Sequence, residues 1–235
     1  MTERLNEFGM PIGFAVDDWS PRSQPPHTPM QGRFCRIEPL VSERHADDLF
    51  EANFTDTEGR IWVYMGYGPF EDAGAYRAWI EKDCRGTDPF FHAIIDQMSG
   101  KAVGVASYLR IDPANGVIEV GHINYAPPLQ RTAAATEAMY LMMKRVFDEL
   151  GYRRYEWKCD NANARSKHAA ERLGFTFEGI FRQALIYKGR NRDTAWFAIT
   201  DKDWPAIKTA FEAWLSPGNF TEDGQAKRSL RDFRI

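Results

Sequence analysis

A chain of 235 residues with 43% hydrophobic content can form one large domain with extensions or two small ones. Its 30 basic and 33 acidic residues give a formal charge of −3, which excludes a strong global field directing it to nucleic acid or an anionic membrane. The sequence has no run of about 18 apolar residues, MTERLNEFGM has no apolar signal core, and Cys35, Cys84 and Cys159 show no paired spacing; together these fit a reducing, cytoplasmic setting.

Residues 1–32 carry Pro11, Pro21, Pro25, Pro26 and Pro29 with little periodicity and read as an extended arm, laid on the domain or mobile. The domain is expected over 33–215. It opens with a short strand, Arg33 to Glu38, then a Ser42-capped helix through His45, Leu49 and Phe54. IWVYMGYGPF follows, aromatic and glycine-rich, composed equally like a loop over a pocket and like a buried connector. A second helix is predicted from about Glu71 to Asp83. Strands at Phe90 to Ile95, Val103 to Ile111 and Val117 to Tyr125, joined by turns at Gln97 to Lys101 and Asp112 to Gly116, make an antiparallel meander.

Pro127 and Pro128 force an exit from the third of these strands, and a helix begins directly after it. In that helix Ala135, Met139, Met142, Val146 and Leu150 recur at helical spacing, with Glu137, Lys144, Arg145, Asp148 and Glu149 mostly off the apolar stripe. Its first turn, Thr132, Ala133, Ala134, Ala135 and Thr136, keeps side chains small where backbone N–H groups lack partners, so a phosphate fits there. A ligand-free Ala-rich start capped by Thr132 fits the same letters.

Tyr152 to Cys159 alternates Tyr155, Trp157 and Cys159 with Arg154, Glu156 and Lys158, a strand with two unlike faces. NARSKHAAERLGF then places Asn163, Ser166, Ala170 and Leu173 along one inward helical face, closed by Gly174. Asn163 and Ser166 either receive a ligand or satisfy themselves, Asn163 by capping its helix and Ser166 by bonding a preceding carbonyl. Strands at Thr176 to Tyr187 and Thr194 to Thr200 flank a turn at Lys188 to Asn191, Asp201 caps a last helix through Trp214, and 216–235 is read as a solvated, charged tail.

In this order the chain resembles the GNAT superfamily of acetyl-CoA-dependent N-acetyltransferases, in the branch acting on ribosomal protein N-termini. The resemblance spans roughly Gly32 to Trp204. Its markers are the hairpin with Ser99, Gly100, Lys101 and Gly104, the strand IEVGHINY, the loop QRTAAATEA, and Asn163-x-x-Ser166 leading to Leu173-Gly174-Phe175. It implies a single α/β (α+β) domain with a mixed, largely antiparallel sheet of about seven strands flanked by helices. It also implies an enzyme that transfers an acetyl group to a primary amine by direct attack in a ternary complex.

The resemblance places the diphosphate on Gln130, Arg131 and Thr132 to Thr136, with Ala133 and Ala135 where the family usually has small loop residues and Ala in place of its first glycine. Ala133 must then take an ordinary φ. Arg131, Arg165 and Lys167 are placed near the nucleotide phosphates, where each reads equally as a solvated charge, and a backbone N–H at Asn124 or Tyr125 polarises the thioester carbonyl. Glu119 or His122 removes the proton; the resemblance favours Glu119, directly or through water, although Glu119 reads nearly as well as an ion pair or hydrogen bond that fixes the strand, and on an unbulged strand the two lie on opposite faces. Asn163 orients the pantetheine arm and Ser166 meets the sulfur, because Ala170 stands where many members carry a tyrosine. That missing tyrosine also admits a catalytically silent acyl-CoA-binding sensor or interaction module.

The acceptor pocket is assigned by position and composition to Trp62, Tyr64, Tyr67, Phe70, Tyr125, Arg182 and Tyr187, aromatics that serve a core equally well. A peptide N-terminus, an amino acid or a small amine fits them. The scattered histidines His27, His45, His92, His122 and His168 predict no metal, the composition no membrane and no nucleic-acid partner, and either a monomer or a homodimer is compatible.

Overall fold

The computed structural model describes residues 4–234. A small hairpin, β1 (Arg4–Leu5) and β2 (Pro11–Ile12), precedes an eight-stranded sheet. In chain order its strands are β3 (Met30–Gln31), β4 (Cys35–Pro39), β5 (Phe90–Asp96), β6 (Ala102–Asp112), β7 (Val117–Tyr125), β8 (Arg154–Asp160), β9 (Thr176–Tyr187) and β10 (Arg190–Thr200). They lie side by side as β3-β4-β5-β6-β7-β8-β10-β9, antiparallel except for β7 with β8. One strand beyond the expected seven comes from the arm, where Met30 and Gln31 pair with β4.

Helices α1 (Ser42–Phe54) and α2 (Ala73–Asp83) cover one face, burying Leu49, Tyr76 and Ile80 against Phe91, Ala93 and Val105. On the other face lie α3 (Ala133–Lys144), whose chain continues through a wider π turn at Arg145–Glu149, and α5 (Trp204–Leu215); the shorter α4 (Ala164–Leu173) follows β8. Met139, Met142, Val146, Tyr155, Phe197 and Phe211 form the core there, so the apolar stripe of α3 does what its spacing requires. Gly174 stops α4 at φ +109, a conformation that a Cβ would strain. A two-residue turn, Lys188 and Gly189 at φ +48 and +70, joins β9 to β10.

Several local expectations are corrected. Ser42 does not cap α1: Val41 occupies the cap position, its N–H is taken by His45 Nδ1 at 3.0 Å, and the Ser42 hydroxyl turns to Glu81. Asp201 does not cap α5, which begins beyond Asp203, and the Asp203 carboxylate closes the turn onto Thr200. Glu137 and Arg145, off the apolar stripe, are nonetheless buried, because each answers backbone groups of the arm region. Glu137 accepts N–H bonds from Arg33, Phe34 and Cys35 at 2.8, 2.6 and 2.8 Å, and Arg145 donates to the carbonyls of Thr28 and Pro29.

The arm is laid on the domain, held by Trp19 Nε1 on the Ala114 carbonyl, Arg22 on that of Gly151 and Tyr152 Oη on that of Ser23. The last segment is exposed along most of its length, as expected of a charged tail, but it is anchored rather than loose. Leu230 is buried, Ser229 and Asp232 form a reciprocal capping box, and Arg234 reaches the Glu171 carbonyl at the end of α4 at 2.7 Å.

Candidate active site

β7 and β8 pair from Val117 opposite Arg154 to Val120 opposite Trp157, and there the pairing stops. β7 continues along β6 and β8 along β10, so the two parallel strands open into a V. The Ala126 N–H bonds the Val103 carbonyl on the β6 side, so strand alternation turns the Tyr125 N–H the other way, into the gap. Gln130 Nε2 holds the Tyr125 carbonyl at 2.8 Å. Leu129, directly before Gln130, packs so near Gly104 that a Cβ there would lie 2.6 Å from its Cδ2, so a side chain at that point of β6 would push Leu129 aside.

A cleft of about 2050 Å³ runs through the V. Asn124 lines it, is only 1% exposed, and among the described residues has no hydrogen-bond partner for Oδ1 or Nδ2. An unpaired buried amide costs roughly 1–3 kcal/mol, a cost that a polar group of a bound ligand would offset.

The α3 start forms one wall. Thr132 Oγ1 accepts the Ala135 N–H at 3.1 Å and donates to the Leu129 carbonyl, so the capping bond is made. Among the described residues the Ala133 and Ala134 N–H groups have no protein acceptor, and they open on the cleft. The left-handed conformation falls on Arg131, φ +63, while Ala133 and Ala135 are helical. Across the cleft Asn163 Oδ1 caps α4 by accepting the Ser166 N–H at 3.1 Å. Ser166 Oγ accepts the Trp157 indole N–H at 3.0 Å rather than bonding a preceding carbonyl. Arg172 donates to Thr136 Oγ1 at 3.1 Å and fixes its guanidinium beside the first turn of α3. These small residues and free N–H groups fit a diphosphate.

The opposite half is ionic. Arg110 Nη1 and Lys158 Nζ each lie 2.7 Å from a Glu119 oxygen, Lys158 is equally close to Glu156, and Arg154 joins Glu156 to Glu178. This ladder crosses from β6 to β9. Lys158 also sits 3.7 Å above the Trp196 ring, which shields its ammonium from water. Burial holds the Glu119 carboxyl above its ordinary value against the opposing pull of Lys158 and Arg110.

His122 and Glu119 share a face, contrary to strict alternation. A bulge sets His122 and Ile123 opposite Ala106, with His122 at φ +50, and the extra residue brings the imidazole round to the α1–α2 side. Phe91, Ser107 and Gly121 are cross-strand neighbours on that side, and the His122 ring lies 4.8 Å from Phe91 and 5.7 Å from Tyr67. Burial, with Arg110 adding to it, pushes the imidazole down to about 4.

Tyr64, Tyr187 and Tyr125 line the cleft together with Glu119, His122, Asn124, Gln130, Arg131, Thr132 to Thr136, Asn163 and Ser166. Trp62, Tyr67 and Phe70 do not: they pack on one another and on Trp79 in the α1–α2 core, with Trp62 and Phe70 edge to face at 5.4 Å. Arg182 points away because it alternates with Phe181, which stacks on Trp196 at the cleft wall. Lys167 is drawn off the cleft to Asn161 at 3.2 Å. The sequence reading missed Arg110, Lys158, Arg172 and Trp196. Arg172 lies six residues beyond Ser166 on α4, and Lys158 shares the charged face of β8 with Arg154 and Glu156, a pattern that reads as solvated.

The profile "Acetyltransferase (GNAT) domain" matches residues 35–176, so the chain belongs to the GNAT family of acetyl-CoA-dependent N-acetyltransferases. A GCN5-related N-acetyltransferase from Brucella melitensis is 48% identical with a TM-score of 0.91, over 93% of this chain and 99% of that one. "Putative ribosomal N-acetyltransferase YdaF" of Bacillus subtilis is 24% identical over 73% of this chain and 92% of its own. The fold is shared by the microcin C7 self immunity acetyltransferase MccE, solved in complex with acetyl-CoA and AMP, at 22% identity and a TM-score of 0.63 over 72% and 93% of the two chains. No helix among the described residues is long and apolar enough to cross a membrane.

Proposed function

We propose that the protein transfers the acetyl group of acetyl-CoA directly to a primary amine in a ternary complex. One observation carries this reading: the V of β7 and β8 places the Tyr125 N–H and the orphaned Asn124 amide in one cleft with the free N–H groups of α3. The Ala133 and Ala134 N–H groups hold the diphosphate, and Arg131 and Arg172 add positive charge beside it. Bound there, acetyl-CoA supplies an activated acetyl group as a thioester. The Tyr125 N–H donates to the oxygen on which charge develops. The Ser166 hydroxyl donates a hydrogen bond to the departing sulfur and so stabilises the charge that develops there, with its oxygen held by Trp157.

Glu119 takes the proton of the amine, directly or through water. Geometry favours it over His122, which is wedged between two rings and held at about 4 by burial. Tyr64, Tyr187 and Trp196 give the acceptor an aromatic wall suited to a peptide N-terminus, an amino acid or a small amine. The name of the Bacillus subtilis relative makes ribosomal protein N-termini the first acceptors to try. The buried free thiols Cys35, Cys84 and Cys159 support a reducing, cytoplasmic setting.

Thiol release measured over a panel of peptides, amino acids and small amines, alongside acetyl-CoA binding, tests this. Release with at least one primary amine is the expected result. Binding without release points to the catalytically silent sensor, which the vacancy at buried Ala170 favours; absence of binding removes both readings.

A further inference from the structure

A second cavity of about 520 Å³ opens beside the main cleft and shares His168, Arg172 and Trp214 with it. Its other wall is the C-terminal segment, which contributes Lys227, Arg228 and Arg231. That wall is built. The Trp214 indole donates to the Arg228 carbonyl at 2.9 Å, Asn219 Nδ2 holds the Trp214 carbonyl, and Leu230 is 2% exposed beneath it.

Four cations and one histidine therefore converge on a small cavity. Among the described residues none of Arg172, Lys227, Arg228 and Arg231 has a carboxylate partner: Lys227 and Arg228 are held by the carbonyls of Gly218 and Asp232, and Arg172 by the Thr136 hydroxyl. Burial lowers the basicity of Arg172, and the neighbouring Arg231 lowers it further. Lys227, Arg228 and Arg231 are exposed and Arg172 is half-buried, so water screens their mutual repulsion, and the cluster offers an anion several donors with no carboxylate competing for them.

The position of the cavity says which anion. Arg172 bridges it to the first turn of α3, the place proposed above for the diphosphate. In CoA the group attached beyond the diphosphate is an adenosine bearing a 3′-phosphate. We infer that the cavity between α4 and the C-terminal segment binds this 3′-phosphate, through Arg231 and Lys227 with Arg172 and His168 facing them. The inference rests on the acetyl-CoA reading. The family profile ends at residue 176, so Lys227 and Arg231 lie outside the matched region.

Calorimetry on the full chain with acetyl-CoA and with its 3′-dephospho form tests it. Acetyl-CoA is expected to bind about 10-fold tighter or more, as for a phosphate meeting two or more cations. In the double variant Lys227→Gln/Arg231→Gln that preference should collapse, while affinity for the dephospho form stays unchanged and reports an intact fold and diphosphate site. Equal affinity of the unaltered chain for both ligands overturns the inference and leaves the acetyl-CoA reading standing. So does a variant that weakens both ligands alike. Binding of neither ligand removes the acetyl-CoA reading and this inference with it.

Discussion

The two halves of the cleft are made of different materials. On the side proposed for the cofactor, backbone N–H groups, alanines and helix caps present a fixed surface with little side-chain charge apart from Arg131 and Arg172 at its rim. On the acceptor side everything of consequence is a side chain, and each is held by another: Glu119 between Arg110 and Lys158, Lys158 over Trp196, His122 between Phe91 and Tyr67. The first half is rigid because backbone geometry leaves it little choice. The second is poised because the Glu119 carboxyl is buried between two cations, so altering either of them changes its protonation.

The largest expected effect separates the halves. Ala133→Glu puts a carboxylate at the first helical position, where the dipole favours it and the fold is retained, but it repels a diphosphate. Acetyl-CoA affinity should fall by about 100-fold, or about 3 kcal/mol, in calorimetry. Unchanged affinity would mean that the α3 start holds no phosphate.

Glu119→Gln should act on the other half alone. Turnover is expected to drop by about 100-fold, the ordinary worth of a positioned base, with acetyl-CoA binding nearly unchanged. The pH profile sharpens this. The carboxylate is the working form, so activity falls as pH drops through the Glu119 pKa. Burial raises that pKa, so the limb should lie above the ordinary glutamate value of 4.5. It should vanish in the variant, whereas a surviving limb near 4 would transfer the role to His122.

The smallest effect tests the seam between them. Asn124→Leu removes an amide without partners, so the free protein should gain about 1 kcal/mol in denaturant unfolding while kcat/KM falls about 10-fold. A loss of stability would show that the amide is satisfied before any ligand arrives.

The same contrast explains what the sequence could say. The α3 start, the Asn163 cap, the Gly174 stop and the order of strands are written in neighbouring residues, and the family resemblance rests on them. Lys158 and Arg110 acquire meaning only when β6, β7 and β8 are laid side by side, and their letters resemble any solvated strand face. Trp62, Tyr67 and Phe70 mislead for a related reason: an aromatic loop beside a site can spend its rings on the core, and here most of them go there. The alternation that put Glu119 and His122 apart was sound for a regular strand, and it failed because bulges carry no reliable local signature.

That bulge makes the strand's length a matter of parity. β7 holds one more residue than β6 across the turn of the site, so two side chains at an odd separation share one side of the sheet while Ile123 and Tyr125 remain on the α3 side. Removing a single residue between Gly121 and Asn124 would erase the bulge and restore regular alternation, with Asn124 still opposite Val105 and Tyr125 still opposite Gly104. The residue left between Gly121 and Asn124 would then point to the α3 side, and Glu119 would lose the second side chain that now shares its face. One residue of chain length at this place therefore decides what stands beside the carboxylate, while the rest of the strand keeps its faces.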